Sequence, residues 1–194
     1  MSAPPGEYYT DERWQNWIER IDEEDIDPED EDSARLLLNL QDDAAIAVAK
    51  IVTDYQDGEL EEEETLEELA KVREIVLAEV EMDDEEKLMV VDGVQTSLVC
   101  VFYAAEEYVA GEVAEAPIAD LIGAASDAEE GDDVDAALGY CAQAGTRIFA
   151  DEEELSMDVV DDLEFGLVAE WVNGLDSLQT ALSDPEVVEE DDDA

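Results

Sequence analysis

Histidine is missing from all 194 residues, and lysine and arginine together number only 8. Without an imidazole there is no Ser–His or Cys–His pair, no zinc site of the common kinds and no Glu-x-x-His di-iron motif. Eight scattered cations cannot form a stripe that neutralises phosphates, so the chain is read as having no nucleic-acid partner. A glycine-rich phosphate loop is lacking too, because Gly123, Gly131, Gly139 and Gly145 are dispersed. The two cysteines, Cys100 and Cys141, fall in apolar helical stretches and read as free buried thiols. Met1 to Gly6 has neither the basic nor the apolar region of a secretory signal. The longest apolar-rich stretch, Leu88 to Ala110, is broken by Asp92, Gln95, Glu106 and Glu107, which makes it a poor membrane span. A cytoplasmic protein with no membrane partner and no cofactor is therefore expected.

What the chain has is acid. Sixty Asp and Glu give a formal net charge of -52, and no quarter of the sequence is without its share. An acidic interaction tail would be lopsided, whereas this is a property of the whole surface. Dense carboxylate of this kind suits a halophilic protein that stays hydrated in molar salt. Such charge with few aromatics would suit disorder, but 46% of residues are hydrophobic and they recur at helical spacing. The Debye length shrinks to roughly 3 Å at 1 M salt, so repulsion among the acids is a cost of low salt. The expectation is a folded chain that loosens when salt is removed.

Turn signals divide the sequence into about seven helices and almost no strand. Thr10 caps a first helix reaching about Ile21, and Asp27-Pro28 supplies the cap and first-turn proline of a second that runs to Tyr55. Asp57-Gly58 stops it. A third follows from about Glu61 to Val80. The fourth, near 84–110, is apolar around most of its circumference and belongs at the centre. A fifth covers Pro117 to Glu130, a sixth Val134 to Ala150 and a seventh Ser156 to about Ser183. The fold class is all-α: a compact bundle of about seven helices forming one domain over 1–183, with 1–111 and 117–183 as a possible subdivision. Residues 184–194 read as a disordered acidic tail.

The tryptophan-rich first helix is the most distinctive local feature. Trp14, Trp17, Ile18 and Ile21 make one apolar stripe, which is how an anchor is built, onto the chain's own bundle or into a partner's groove. The seventh helix has two apolar faces. One of them, Phe165, Val168, Val172 and Leu175, is a second partner-binding candidate or the seam of a homodimer. Arg35, Asn39, Asp92, Arg147 and Asn173 lie on otherwise apolar faces and could be buried polar partners of one another.

Metal chemistry has a weaker signal. Asp57-Gly58-Glu59-Leu60 and Glu64 copy the second half of an EF-hand loop, but Thr53 and Tyr55 stand where oxygen-rich ligands belong. A helix stop followed by a first turn of acids explains the same residues. No metal ligand and no catalytic pair is nominated. The turn and helix from Glu130 through Ala137, Leu138, Cys141 and Ala144 resemble half a tetratricopeptide repeat and read as an ordinary helical hairpin.

Four segments together resemble a haloarchaeal family, domain of unknown function 2150. They are Tyr-Tyr-Thr-Asp-Glu-Arg-Trp-Gln-Asn-Trp at 8–17, Asp-Ser-Ala-Arg-Leu-Leu-Leu-Asn-Leu-Gln-Asp-Asp at 32–43, Val-Gln-Thr-Ser-Leu-Val-Cys-Val-Phe-Tyr-Ala-Ala-Glu-Glu-Tyr at 94–108 and Gly-Leu-Val-Ala-Glu-Trp-Val-Asn-Gly-Leu-Asp-Ser-Leu at 166–178. The resemblance implies an archaeal, cytosolic protein and brings no activity or site residues with it. The functional expectation is a non-enzymatic protein-binding or regulatory module, acting on an unknown protein partner or on itself. The alternative is a carboxylate-based divalent-metal-binding protein or enzyme.

Overall fold

Short oxygen-bearing side chains open most of the helices in the computed structural model, which describes residues 8–27 and 29–183. Thr10 accepts from the Arg13 N–H at 3.2 Å and starts α1 (Asp11–Glu23). Asp30 starts α2 (Glu31–Gln56), and a capping box starts α3 (Glu62–Val76), with the Glu64 carboxylate accepting from the Glu61 N–H at 3.1 Å. Asp84 accepts from the Glu86 and Lys87 N–H groups and starts α4 (Glu85–Val109). Pro117 precedes α5 (Ile118–Glu130), Asp133 caps α6 (Val134–Phe149) and Ser156 caps the short α7 (Met157–Asp161). The series ends with α8 (Leu167–Ser183), and the described residues hold no strand. Each cap occupies an N–H that the first helical turn cannot bond internally.

At two of the three places where the helices depart from the sequence pattern, a side chain from elsewhere decides. The third helix stops at Val76 rather than Val80, because Gln95 of α4 donates through Nε2 to the carbonyls of Val76 and Ala78 at 2.9 and 2.8 Å. The expected seventh helix is two helices. At the break, Glu129 of α5 accepts from the Leu167 N–H at 2.7 Å, so a carboxylate of another helix fixes where α8 begins. The cap of α2 is Asp30 and not Asp27, whose carboxylate instead accepts from the Glu29 N–H at 2.9 Å. Pro28 and the tail at 184–194 lie outside the described residues.

α4 occupies the centre, packed against α2, α3, α6 and α8. Two glycines let the helices approach. A Cβ on Gly174 of α8 would overlap the Ser97 carbonyl of α4, and one on Gly145 of α6 would overlap the Ala104 side chain and reach within 2.9 Å of Leu175. One buried cluster runs from Tyr9 to Ala181 and includes Leu40, Val48, Leu98, Phe102, Ile118, Val172 and Leu178. Cys100 of α4 and Cys141 of α6 are free and buried in it, and burial, with the Cys141 thiol alongside, pushes the Cys100 thiol well above its ordinary value.

A small polar network crosses this apolar interior. Ser97 donates to Gln41 Oε1 at 2.8 Å, and Gln41 Nε2 donates to Ser177 Oγ at 2.9 Å and to the Asn173 carbonyl at 3.2 Å. Every polar atom of the Gln41 amide therefore has a partner, the condition under which burying it costs little.

Candidate interaction site

The N-terminal tryptophan helix is docked on its own bundle. Trp14 is 1% exposed, Ile21 is fully buried and Ile18 nearly so, while Trp17 is half-buried. The polar side of the dock centres on Asp43 of α2. Its carboxylate accepts from Arg13 Nε at 2.8 Å and from Arg13 Nη2 on its other oxygen, a two-pronged pair that fixes orientation as well as charge. The Trp17 indole N–H donates to the same carboxylate at 2.9 Å. Just upstream, the Tyr8 hydroxyl donates to Asp54; burial first, then that bond and the surrounding acids, pushes its phenol well above the ordinary value. A groove of about 370 Å³ remains beside the dock, lined by Trp14, Gln15 and Ile18 and by residues 78–81.

The second candidate face divides. Val168, Val172 and Leu175 are buried inside the bundle, so they do not form an exposed seam together with Phe165. Trp171 and Leu178 on the opposite side of α8 are buried as well, because the helix lies between α4, α2 and α6. Phe165 alone faces solvent, at 97% exposure. It stands in the break before α8 on a pinned backbone. The neighbouring Gly166 rests against the Glu129 carboxylate, which a Cβ there would meet at 2.5 Å, and the Leu167 N–H bonds the same oxygen.

The buried polar expectation needs correction. Arg35, Asn39, Asp92 and Asn173 are exposed, and only Arg147 is substantially covered. In α2, Arg35 and Asn39 sit one step from the buried Leu36 and Leu40, which at 100° per residue is enough to turn them outward. Arg147 works on loops instead of pairing with Asp92. Its Nε donates to Glu153 at 3.0 Å and its Nη1 to the Ala114 carbonyl at 2.7 Å, while Glu153 also accepts from the Ile118 N–H at 2.9 Å and so caps α5. The polar residues that are buried include Gln41, Asp43, Glu68, Ser97 and Ser177. Nothing local marks Gln41, Asp43, Ser97 or Ser177, whose partners come from helices distant in sequence.

The half-EF-hand residues are consumed by helix ends. Gly58 adopts φ 79° just past α2, the left-handed position that glycine takes without strain. Glu64 is turned back onto Glu61 as a cap. Among the described residues no group of three or more Asp, Glu or Cys is placed to hold a metal ion.

Asp42, beside this network, carries a testable charge effect. Burial chiefly, with Asp176 nearby, raises its carboxyl above the ordinary value, against a lowering bond from Ser177. The folded chain then holds this proton more tightly than the unfolded one. Stability therefore falls as pH rises from the ordinary carboxylate range, near 4, through the raised folded value. Glu107 and Glu170, raised mainly by burial, act in the same sense. Asp42→Asn is expected to raise the melting temperature at neutral pH and to flatten its fall with pH above the ordinary carboxylate range, near 4. Thermal melts from that range to neutral pH in molar KCl measure both.

The chain belongs to a family described as an uncharacterized protein conserved in archaea (DUF2150), which matches residues 7–191. No curated protein and no solved structure matches it.

Proposed function

We propose, taking membership of that archaeal family as the premise, that this chain is a non-catalytic protein-binding module whose contact residue is Phe165. One observation carries the reading: a large aromatic side chain stands almost wholly in solvent on a backbone held by Glu129 and Gly166. A large aromatic side chain offers much apolar area to a pocket, and aromatic residues are enriched at protein interfaces. The other seven candidates from the two apolar faces are spent inside the bundle or half-covered by it. The distribution of the acids supports a working environment of molar salt in the cytoplasm, where the partner would be met.

The test is affinity capture of the tagged chain from salt-adapted cells, washed in about 2 M KCl so that non-specific charge attraction is screened. A stoichiometric protein retained by the native chain and lost with Phe165→Ala, at an unchanged melting temperature, is the expected result. Identical captures by the native chain and by Phe165→Ala end the reading.

A further inference from the structure

The chain has two cysteines, far apart in sequence, and the fold sets them face to face. The register of α4 against α6 is what brings this about. Phe149 of α6 stacks on Tyr108 of α4, with ring centroids 5.5 Å apart. One turn earlier on both helices, Gly145 lies so close to Ala104 that a Cβ on the glycine would come within 2.4 Å of the alanine side chain. The two pairs advance in the same direction, so the helices run parallel and match residues in four-residue steps. A further turn back places Cys100 opposite Cys141, both fully buried, with their thiols side by side. A disulfide needs Cα atoms about 4.4–6.8 Å apart, a closeness that the missing side chain of Gly145 allows one turn away. Packing at this level needs only small side chains, as Ala104 and Gly145 show. What two facing sulfurs add is chemistry.

We infer that Cys100 and Cys141 form an oxidant-set lock, in which hydrogen peroxide converts the pair to an internal disulfide that ties α6 to the central α4. One sulfur, as thiolate, attacks a peroxide oxygen and the O–O bond breaks. The hydroxide released takes the thiol's proton, leaving water and a sulfenic acid. The second sulfur attacks the sulfenic sulfur, the S–S bond forms and the S–O bond breaks. The departing hydroxide takes the second thiol's proton and leaves as water. Two thiols are oxidised to one disulfide, and one peroxide is reduced to two waters. Burial holds the Cys100 thiol protonated, well above its ordinary value, and both sulfurs are hidden. Peroxide therefore reaches them only when α6 opens from α4, and the bond forms slowly. Once made, it is equally shielded from reductants. The chain offers no third cysteine for exchange. The bond closes a loop of about 40 residues and so stabilises the fold by restricting the unfolded chain. Phe165 lies outside this helix pair, so Phe165→Ala leaves the lock intact and the two readings stand or fall separately.

The folded native chain, in about 2 M KCl, is held in excess hydrogen peroxide, then denatured with an alkylating reagent and weighed by mass spectrometry. Both cysteines should be alkylated without peroxide and neither after it. Labelling should return when a reductant is added to the denatured chain. The melting temperature of the oxidised chain should rise by about 4–16 °C, the range for a loop-closing disulfide in a domain of this size. Cys100→Ala and, separately, Cys141→Ala should show no such rise. A folded chain that keeps both thiols through prolonged exposure to peroxide overturns the inference. So does sulfinic acid in place of the disulfide, a disulfide joining two copies, or an internal disulfide that leaves the melting temperature unchanged or lower. An equal rise in either alanine variant overturns it as well.

Discussion

Gly174→Ala should unfold this protein at a temperature roughly 6–12 °C below the native chain. The added methyl has no room, because the atom it would overlap is the Ser97 carbonyl of α4 and not the end of a flexible side chain. Relief requires α8 to move away from α4. That movement pulls on the Gln41–Ser97–Ser177 bonds and on the packing of Val172, Leu175 and Leu178. Overpacking of a core costs about 1–3 kcal/mol and more where backbone must yield, and for a domain of this size each kcal/mol is worth about 2–4 °C. The same substitution at Gly139 of α6 should act in the opposite direction. Nothing lies within 4 Å of a Cβ there, so the helix gains roughly 0.5–1 kcal/mol from the better backbone propensity of alanine. Equal melting temperatures for the two variants would show that α4 and α8 do not cross as closely as described.

Trp14→Ala should cost about 3–5 kcal/mol, the range for removing a large aromatic from a core. It deletes one of the largest fully buried side chains and leaves α1 held by the smaller Ile18 and Ile21 and by Asp43 through Arg13 and Trp17. With its largest apolar contact gone, α1 should loosen, seen as a lowered melting temperature and as faster amide hydrogen exchange along Asp11–Glu23. Phe165→Ala is the control of opposite character. An exposed phenyl ring loses no packing when truncated, so stability should change by less than about 0.5 kcal/mol while partner capture is lost. If Trp14→Ala melts like the native chain, the N-terminal helix is not part of the cooperative unit.

Much of the fold was legible because helices leave local marks. Thr10 reads as a cap and is one in the structure, and Asp84, Asp133 and Ser156, the caps of α4, α6 and α7, stand at or beside helix starts placed from the sequence pattern. Gly58 and Gly111 end helices with positive φ, as a stop residue should. The central place of α4 followed from its apolar circumference. Helix ends were misread where the partner was remote: Gln95 ends α3 and Glu129 begins α8, and neither lies near the terminus it satisfies.

The candidate site was legible in its residue types and not in their placement. The stripe of Trp14, Ile18 and Ile21 reads equally as an external anchor and as a core contact, since both need an apolar face. Asp43 decided between them by lying where Arg13 and Trp17 converge, thirty and twenty-six residues away in sequence. Phe165 was grouped with Val168, Val172 and Leu175 by continuing helical periodicity through a stretch where the chain is not helical.

By itself, the sequence determined the all-α class, most helix starts, the acidic surface and membership of the archaeal family, because capping, periodicity, charge and family likeness are all written along the chain. Tertiary structure alone decided which apolar faces are spent on the core, which polar groups are buried, and that Phe165 faces water. Those properties depend on what covers a residue, and the covering groups here come from helices far away along the chain.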